Sequence, residues 1–169
     1  MRKGFTMIEL IFVIVILGIL AAVAISRLAA TRDDAEIVKV GTNMTTIISD
    51  LGSYYTSQGQ LSTDIKEMAN VQLANVNGLA DDLMTAGKAC IHFEATDYDE
   101  TSKKLATLKV TQGGDSGEKI CKKVYELAAI DAILKGKFTY PAYDATTQKY
   151  TDAPSEEGEV AISGIDVKF

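Results

Sequence analysis

The feature that most constrains this chain is an apolar segment close to its N-terminus. From Leu10 to Ile25 no residue is charged, and from Phe5 to Ser26 the only charged side chain is Glu9. A helix needs roughly 20 apolar residues to cross the hydrocarbon core of a bilayer, so this segment is long enough to span a membrane. Arg2 and Lys3 precede it, and basic residues favour the cytoplasmic side. We therefore expect the rest of the chain to lie on the opposite side of the membrane.

Glu9 argues against two simpler interpretations of this segment. One is a plain membrane anchor, and the other is a secretory signal peptide that is cleaved after Ala24, at the end of an Ala-Val-Ala triplet. A carboxylate within an apolar membrane span costs up to roughly 2.5–3.5 kcal/mol on insertion scales, and neither an anchor nor a signal peptide gains from it. Glu9 thus needs a cationic partner, which the span itself does not contain.

The helical pattern continues beyond the apolar segment. Apolar residues recur at steps of three and four, which places them on one face of a helix. The first strong break is Ser57-Gln58-Gly59. We predict a continuous helix from about Phe5 to Ser57, ~80 Å long at 1.5 Å per residue, with a transmembrane half at 5–26 and an amphipathic half at 27–58. The apolar positions of the second half are Ile37, Val40, Met44, Ile47, Ile48, Leu51, Tyr54 and Tyr55.

The start of the chain resembles a motif of a known family. The run Gly4-Phe5-Thr6-Met7-Ile8-Glu9-Leu10, followed by apolar residues to Ala22, is similar to the cleavage and methylation motif of type IV prepilins and type II secretion pseudopilins. The resemblance implies that a prepilin peptidase cuts between Gly4 and Phe5, removes the leader 1–4 and methylates the new amine of Phe5. It also implies that Glu9 neutralises the Phe5 ammonium of a neighbouring subunit.

The function that this resemblance implies is structural and not enzymatic. The mature subunit would wait in the inner membrane with its head in the periplasm, until an inner-membrane assembly platform extracts it from the lipid into a homo-oligomeric filament of identical or related subunits. A secretion pseudopilus, an adhesion or motility pilus and a DNA-uptake fibre all remain open. The alternative is a soluble secreted binding protein released after Ala24.

The sequence pattern of residues 59–169 predicts a head that contains both helices and strands. Together with the long helix they predict an α+β fold, in which the helix packs on a small antiparallel sheet. The predicted elements are a short helix at Thr63–Asn70, a helical turn at Ala80–Met84, paired strands at Ala89–Ala95 and Leu105–Thr111, a helix at Glu118–Leu134 and a final strand at Val160–Val167.

Two cysteines, Cys90 and Cys121, lie well beyond the membrane segment. Neither belongs to a C-x-x-C motif or to a cluster with histidine, and a single pair outside the cytoplasm favours a disulfide. Two buried free thiols are the other interpretation.

Other patterns favour ordinary structure over catalysis or ligand binding. The net charge of −6 disfavours nucleic acid as a partner, because phosphates require clustered Lys and Arg. Gly114-Asp115-Ser116-Gly117 resembles the surroundings of a protease serine, but its composition predicts a turn. The only histidine, His92, lies in a predicted strand.

One histidine and two cysteines cannot assemble a usual zinc site, so we expect no metal centre of that type and no required cofactor. Acidic turns at Asp97–Glu100 and Glu156–Glu159 are candidates for calcium or simply solvated loops.

The N-terminus of the mature chain separates the two leading interpretations. We expect the protein to fractionate with membranes and to lose four residues, so that it begins at a methylated Phe5. Intact-mass spectrometry of purified protein measures this directly. A soluble chain that begins at Ile25 would contradict it and would support signal-peptide cleavage.

Overall fold

The computed structural model describes residues 6–74, 78–101, 103–144 and 146–164, apart from the side chains of Ser26 and Ala29. Helix α1 spans Met7–Gln58 and ends before Gly59, whose φ of +74° is the left-handed conformation common just past helix ends. The predicted helix from about Phe5 to Ser57 is confirmed over the described residues. The chain divides into two compact units, Met1–Ala35 and Glu36–Phe169.

The second unit is the α+β head that the sequence predicted. After α1 come a 3₁₀ turn at Ile65–Glu67, β1 (Ala80–Thr85), β2 (Lys88–Thr96), β3 (Thr107–Gln112), α2 (Lys119–Tyr125), α3 (Ala128–Lys135), β4 (Thr139–Asp144), β5 (Lys149–Pro154) and β6 (Glu159–Ala161). Over the described residues the strands form a four-stranded antiparallel sheet in the order β1-β2-β3-β6 and a separate two-stranded sheet of β4 and β5.

One face of α1 forms the centre of the head's core. Its residues at steps of three and four have almost no exposed surface, and they join the inner faces of the strands in a single apolar cluster. Each large apolar side chain that is fully buried contributes roughly 1.5–3 kcal/mol. The deeply buried members are Val40, Met44, Ile47 and Leu51 of α1, with Leu83, Ile91, Phe93, Leu108 and Val110 of the sheet.

The strand pairing follows the alternation that the sequence shows. β2 and β3 are antiparallel partners, with Phe93 opposite Val110 and Ala95 opposite Leu108, so that these apolar side chains share the face toward α1. The predicted strands at Ala89–Ala95 and Leu105–Thr111 are thus confirmed to within about two residues.

Several local predictions were wrong. Ala80–Met84 lies within β1 rather than in a helical turn, because pairing with β2 and burial of Leu83 override its weak helical pattern. The predicted helix Thr63–Asn70 is only the 3₁₀ turn, which Asp64 begins by accepting a hydrogen bond from the Lys66 amide. The final strand is three residues long where eight were predicted, and 165–167 lie outside the described residues.

The predicted helix Glu118–Leu134 is two helices, α2 and α3. The break comes at Leu127, which has an extended ψ of 122° and packs against the core. Its Cδ1 lies 3.7 Å from where a Cβ on Gly41 of α1 would stand. Helix propensity favours one continuous helix here, and the gain from turning Leu127 onto α1 explains why the chain breaks instead.

The structure contains the disulfide between Cys90 of β2 and Cys121 of α2. Their Cα atoms are 4.9 Å apart, and both residues are fully buried. Close by, the Tyr125 hydroxyl donates a 2.6 Å hydrogen bond to the Cys90 carbonyl, and burial raises the pKa of Tyr125. The disulfide thus joins α2 to the sheet at a point where other contacts already hold it.

We expect Cys90→Ala and Cys121→Ala each to destabilise the head by roughly 3–4 kcal/mol, since the bond closes a loop of 31 residues in the unfolded chain. Urea unfolding of the detergent-solubilised protein, followed by circular dichroism, measures the loss. The double variant is the control: it should lose little more than either single variant, because the first substitution already breaks the bond. Equal stability with and without reductant would contradict the expectation.

Candidate functional site

The apolar part of α1 is the described surface that most requires a partner. From Met7 to Leu28 every large apolar side chain is exposed, for example Leu10 at 57%, Phe12 at 67% and Ile19 at 64%. Its most apolar window has a mean hydropathy of 3.1 and is not buried at all. Monomers in water rarely expose contiguous apolar patches beyond a few hundred Å², so this surface requires lipid or protein around it.

By length and composition, this is the one helix among the described residues that could cross a membrane. A buried core helix of a soluble protein would pass the same test, but here the apolar window is fully exposed. The remaining ordinary explanation is a signal sequence, because the segment lies at the N-terminus. The intact mass of the mature protein distinguishes a cleaved signal sequence from a helix that is retained.

Glu9 lies in the first turn of α1 and contacts Thr6. The Thr6 hydroxyl and amide donate hydrogen bonds of 2.6 and 2.9 Å to its Oε2 atom, while the Glu9 amide donates to the Thr6 hydroxyl at 3.4 Å. This reciprocal pattern is a capping box, which satisfies amides that a helix start leaves without partners. Thr6 was missed in the sequence analysis, although Thr-x-x-Glu before an apolar run is the signature of this cap.

The capping box orients the Glu9 carboxylate but does not neutralise it. The next charged residue along α1 is Arg27, 18 positions later, or about 27 Å along the helix axis. The partial positive charge of the helix N-terminus is worth typically 0.3–1 kcal/mol to a carboxylate in the first turn. A full countercharge must therefore come from outside this stretch of helix. Gly4 and Phe5, the predicted cleavage residues, lie outside the described residues.

Several carboxylates of the head form hydrogen bonds with its own backbone. Carboxylates of α1 and of the turns accept backbone amide hydrogens: Glu36 from Ala86 at 2.7 Å, Asp50 from Asn70 at 2.9 Å, Asp97 from Leu61 at 3.2 Å and Asp115 from Ala89 at 2.9 Å. These bonds hold loops in place, so an acidic composition here does not by itself indicate a ligand.

The two acidic turns that were candidates for calcium are also partnered. Glu159 is buried and pairs with Lys104 at 3.1 Å, and Glu156 pairs with Lys109, which lowers the pKa of Glu156. In the other turn, Asp97 and Asp99 accept amide hydrogens from Tyr98 and Thr101. Among the described residues no group of three His, Cys, Asp or Glu side chains is placed to hold a metal ion.

The structure also places the residues that resembled a protease site. His92 is a strand residue, and its Nδ1 lies 2.8 Å from Asp82 Oδ1, directly across β1 and β2. Ser116 lies in the predicted turn, where its amide donates to the Gly113 carbonyl at 3.1 Å. In the described part of the chain no hydrogen bond links Ser116 to His92, so no catalytic pair is assembled there.

Comparison with known proteins agrees with the motif. Residues 1–25 match the family described as the prokaryotic N-terminal methylation motif. The chain therefore carries at its N-terminus the prepilin-type cleavage and methylation motif of type IV pilins and pseudopilins, a class of structural subunits. No curated protein and no solved structure matches the chain significantly.

Thr6 provides a test of the capping box. Thr6→Ala should cost roughly 1 kcal/mol of helix stability at the N-terminus, because the hydroxyl that pairs with Glu9 is lost. Hydrogen exchange of the Met7–Leu10 amides in detergent should accelerate several-fold, while amides from Met44 to Leu51 should not change. Thr6→Ser keeps the hydroxyl and is the matched control. Equal exchange in the alanine and serine variants would contradict a capping role.

Proposed function

We propose that this protein is a structural subunit of a type IV pilus-like or type II secretion pseudopilus filament, assembled through α1 after prepilin peptidase cleaves between Gly4 and Phe5. The observation that carries the proposal is the coincidence of the methylation motif at 1–25 with an apolar helical surface that is exposed all round. The partners are identical or related subunits, the peptidase, the membrane lipid and an inner-membrane assembly platform.

An apolar helix of this kind has two suitable surroundings. Before assembly, the bilayer covers the side chains from Met7 to Leu28, with the head on the periplasmic side. In a filament, the same side chains pack against the equivalent helices of neighbouring copies. Both environments remove the same apolar surface from water, so transfer between them needs only a modest difference in free energy.

Glu9 supplies that difference and gives the assembly its register. In the bilayer its first-turn position keeps the carboxylate near one membrane surface, where a charge costs less than at the midplane. In the helix bundle the Phe5 ammonium of a neighbouring copy becomes the countercharge that the α1 span lacks. A pair of this kind has one best axial position, since a shifted helix would leave both charges unpaired.

The head suits a protein outside the cytoplasm. Its cysteines are joined, as is usual in oxidising compartments, and its carboxylates hold loops or pair with lysines. The proposal covers a secretion pseudopilus, an adhesion or motility pilus and a DNA-uptake fibre.

Substitution of Glu9 tests the assembly role. We expect Glu9→Val to leave membrane insertion and cleavage after Gly4 intact but to reduce the yield of sheared filaments severely. Removal of one partner of a buried ion pair typically costs 3–5 kcal/mol, and the loss recurs at every subunit. Glu9→Asp should give an intermediate yield, because the charge is kept but its reach is shortened.

The measurement compares sheared filaments with processed, membrane-bound subunit in the same cells. Asp33→Val is the matched control, since it removes an exposed carboxylate of α1 that lies beyond the apolar span. A normal filament yield from Glu9→Val, with cleavage confirmed by mass, would show that the proposed ion pair does not drive assembly.

A further inference from the structure

The arginines of this chain lie only beside the apolar span. Of its 17 lysines and arginines, three are arginines: Arg2 precedes the span, and Arg27 and Arg32 follow it. The basic residues from position 39 onward are all lysines. Arginine differs from lysine because its planar guanidinium binds a phosphate through two parallel hydrogen bonds and is less strongly hydrated. The edges of a span are where a membrane helix meets the phosphates of the lipid headgroups.

Arg27 is the first charged residue after Glu9 on helix α1. The two residues are 18 positions apart, which separates their Cα atoms by about 27 Å along the helix axis. The hydrocarbon core of a bilayer is about 30 Å thick, and a long arginine side chain extends from the end of a span to the headgroups. When Glu9 lies at one edge of the core, Arg27 therefore reaches the phosphates at the other edge.

The guanidinium of Arg27 is available for an anion outside the protein. Its side chain is exposed, and in the described part of the chain the ion pairs join other residues. Arg32 differs, because it already interacts with another group of the chain. The residues one helical turn from Arg27 in either direction are uncharged, namely Val23, Ala24, Ala30 and Thr31.

We propose that Arg27 binds a lipid phosphate of the periplasmic leaflet and thereby fixes the depth of α1 in the membrane before assembly. The inference rests on the proposed function and adds to it a second anchor point, opposite Glu9. A shift of the helix inward would bring the guanidinium into the hydrocarbon core, where a charge is costly. A shift outward would break the contact with the phosphate and expose apolar side chains to water.

The depth of the helix decides where Glu9 lies. A charged side chain costs least near the membrane surface and most at the midplane. From Glu9 to Arg27 helix α1 is unbroken, so a displacement at one residue along the helix axis is transmitted to the other. Arg27 thus keeps Glu9 at the level where the helix of a neighbouring copy must meet it.

Solid-state NMR measures the contact directly. Mature protein with an NMR-active label at the arginine ζ carbons is reconstituted in vesicles of phosphatidylcholine and phosphatidylglycerol. The buffer contains no phosphate, so lipid is the only source of phosphorus. Arg27→Lys and Arg32→Lys assign the two arginine signals. We expect lipid phosphorus to dephase the Arg27 signal strongly and the Arg32 signal weakly, since Arg32 lies about 7.5 Å farther along the helix axis.

Arg27→Leu tests the depth of the helix in bicelles of the same lipids. The substitution extends the uncharged stretch to Thr31, so α1 should slide toward the cytoplasmic side. A water-soluble paramagnetic chelate should then broaden the Met7–Leu10 amide signals several-fold more. Arg27→Lys keeps a charge at the edge and should retain most of the original depth. Arg32→Leu is the matched control and should leave the broadening unchanged.

Several outcomes would overturn the inference. Absent dephasing of the Arg27 signal, or equal dephasing of both arginines, would exclude binding at a defined lipid phosphate. A contact from the Arg27 ζ carbon to an aspartate carboxylate, seen only between differently labelled copies, would assign the arginine to a neighbouring subunit instead. Unchanged broadening in Arg27→Leu would show that the residue does not set the depth.

Those results would leave the proposed filament function intact. The signals of the unaltered protein and its intact mass test that function separately. A third arginine signal, which shows that Arg2 is retained, or a mature chain that begins at Ile25 would contradict the processing on which the proposed function rests.

Discussion

Burial of one face of helix α1 against the antiparallel sheet is the interaction on which the head depends. Val40, Met44, Ile47 and Leu51 have almost no exposed surface, and the inner sides of the strands close over them. Without this face the sheet would present Phe93, Ile91, Leu108 and Val110 to water. Loss of the helix would therefore expose both sides of the core, so helix and sheet must fold together.

The two parts of α1 meet different physical requirements. In the unit Glu36–Phe169 the helix is amphipathic, with one apolar stripe that the head itself covers. In the described part of the unit Met1–Ala35, the large apolar side chains from Met7 to Leu28 are all exposed. A helix that is apolar all round is stable only when something else surrounds it. The head can therefore have a complete core while the apolar segment still requires lipid or protein around it.

Carboxylates of the head accept hydrogen bonds or form ion pairs within the head itself. Glu36, Asp50 and Asp97 accept amide hydrogens from loops, and the buried Glu159 has Lys104 as its countercharge. Breaking such a pair on one side would leave a buried charge alone, which costs more than the pair itself contributes. The pKa of Glu156 is lowered by its hydrogen bond from Lys109, so this contact strengthens folding above the ordinary pKa of glutamate and weakens as the pH falls below it.

The sequence alone determined the features that depend on neighbours along the chain. Periodic apolar residues predicted helix α1 and its buried face, alternation predicted β2 and β3, and the motif around Glu9 predicted the class of protein. Tertiary contacts decided the rest. Pairing with β2 made Ala80–Thr85 a strand, and packing of Leu127 beside Gly41 divided one expected helix into α2 and α3. The hairpin of β4 and β5 was not predicted, since Pro141 is atypical of a strand and its pairing partner lies about ten residues away. Local pattern reports only which side chains share a face, whereas the choice of what that face packs against depends on residues distant in the chain.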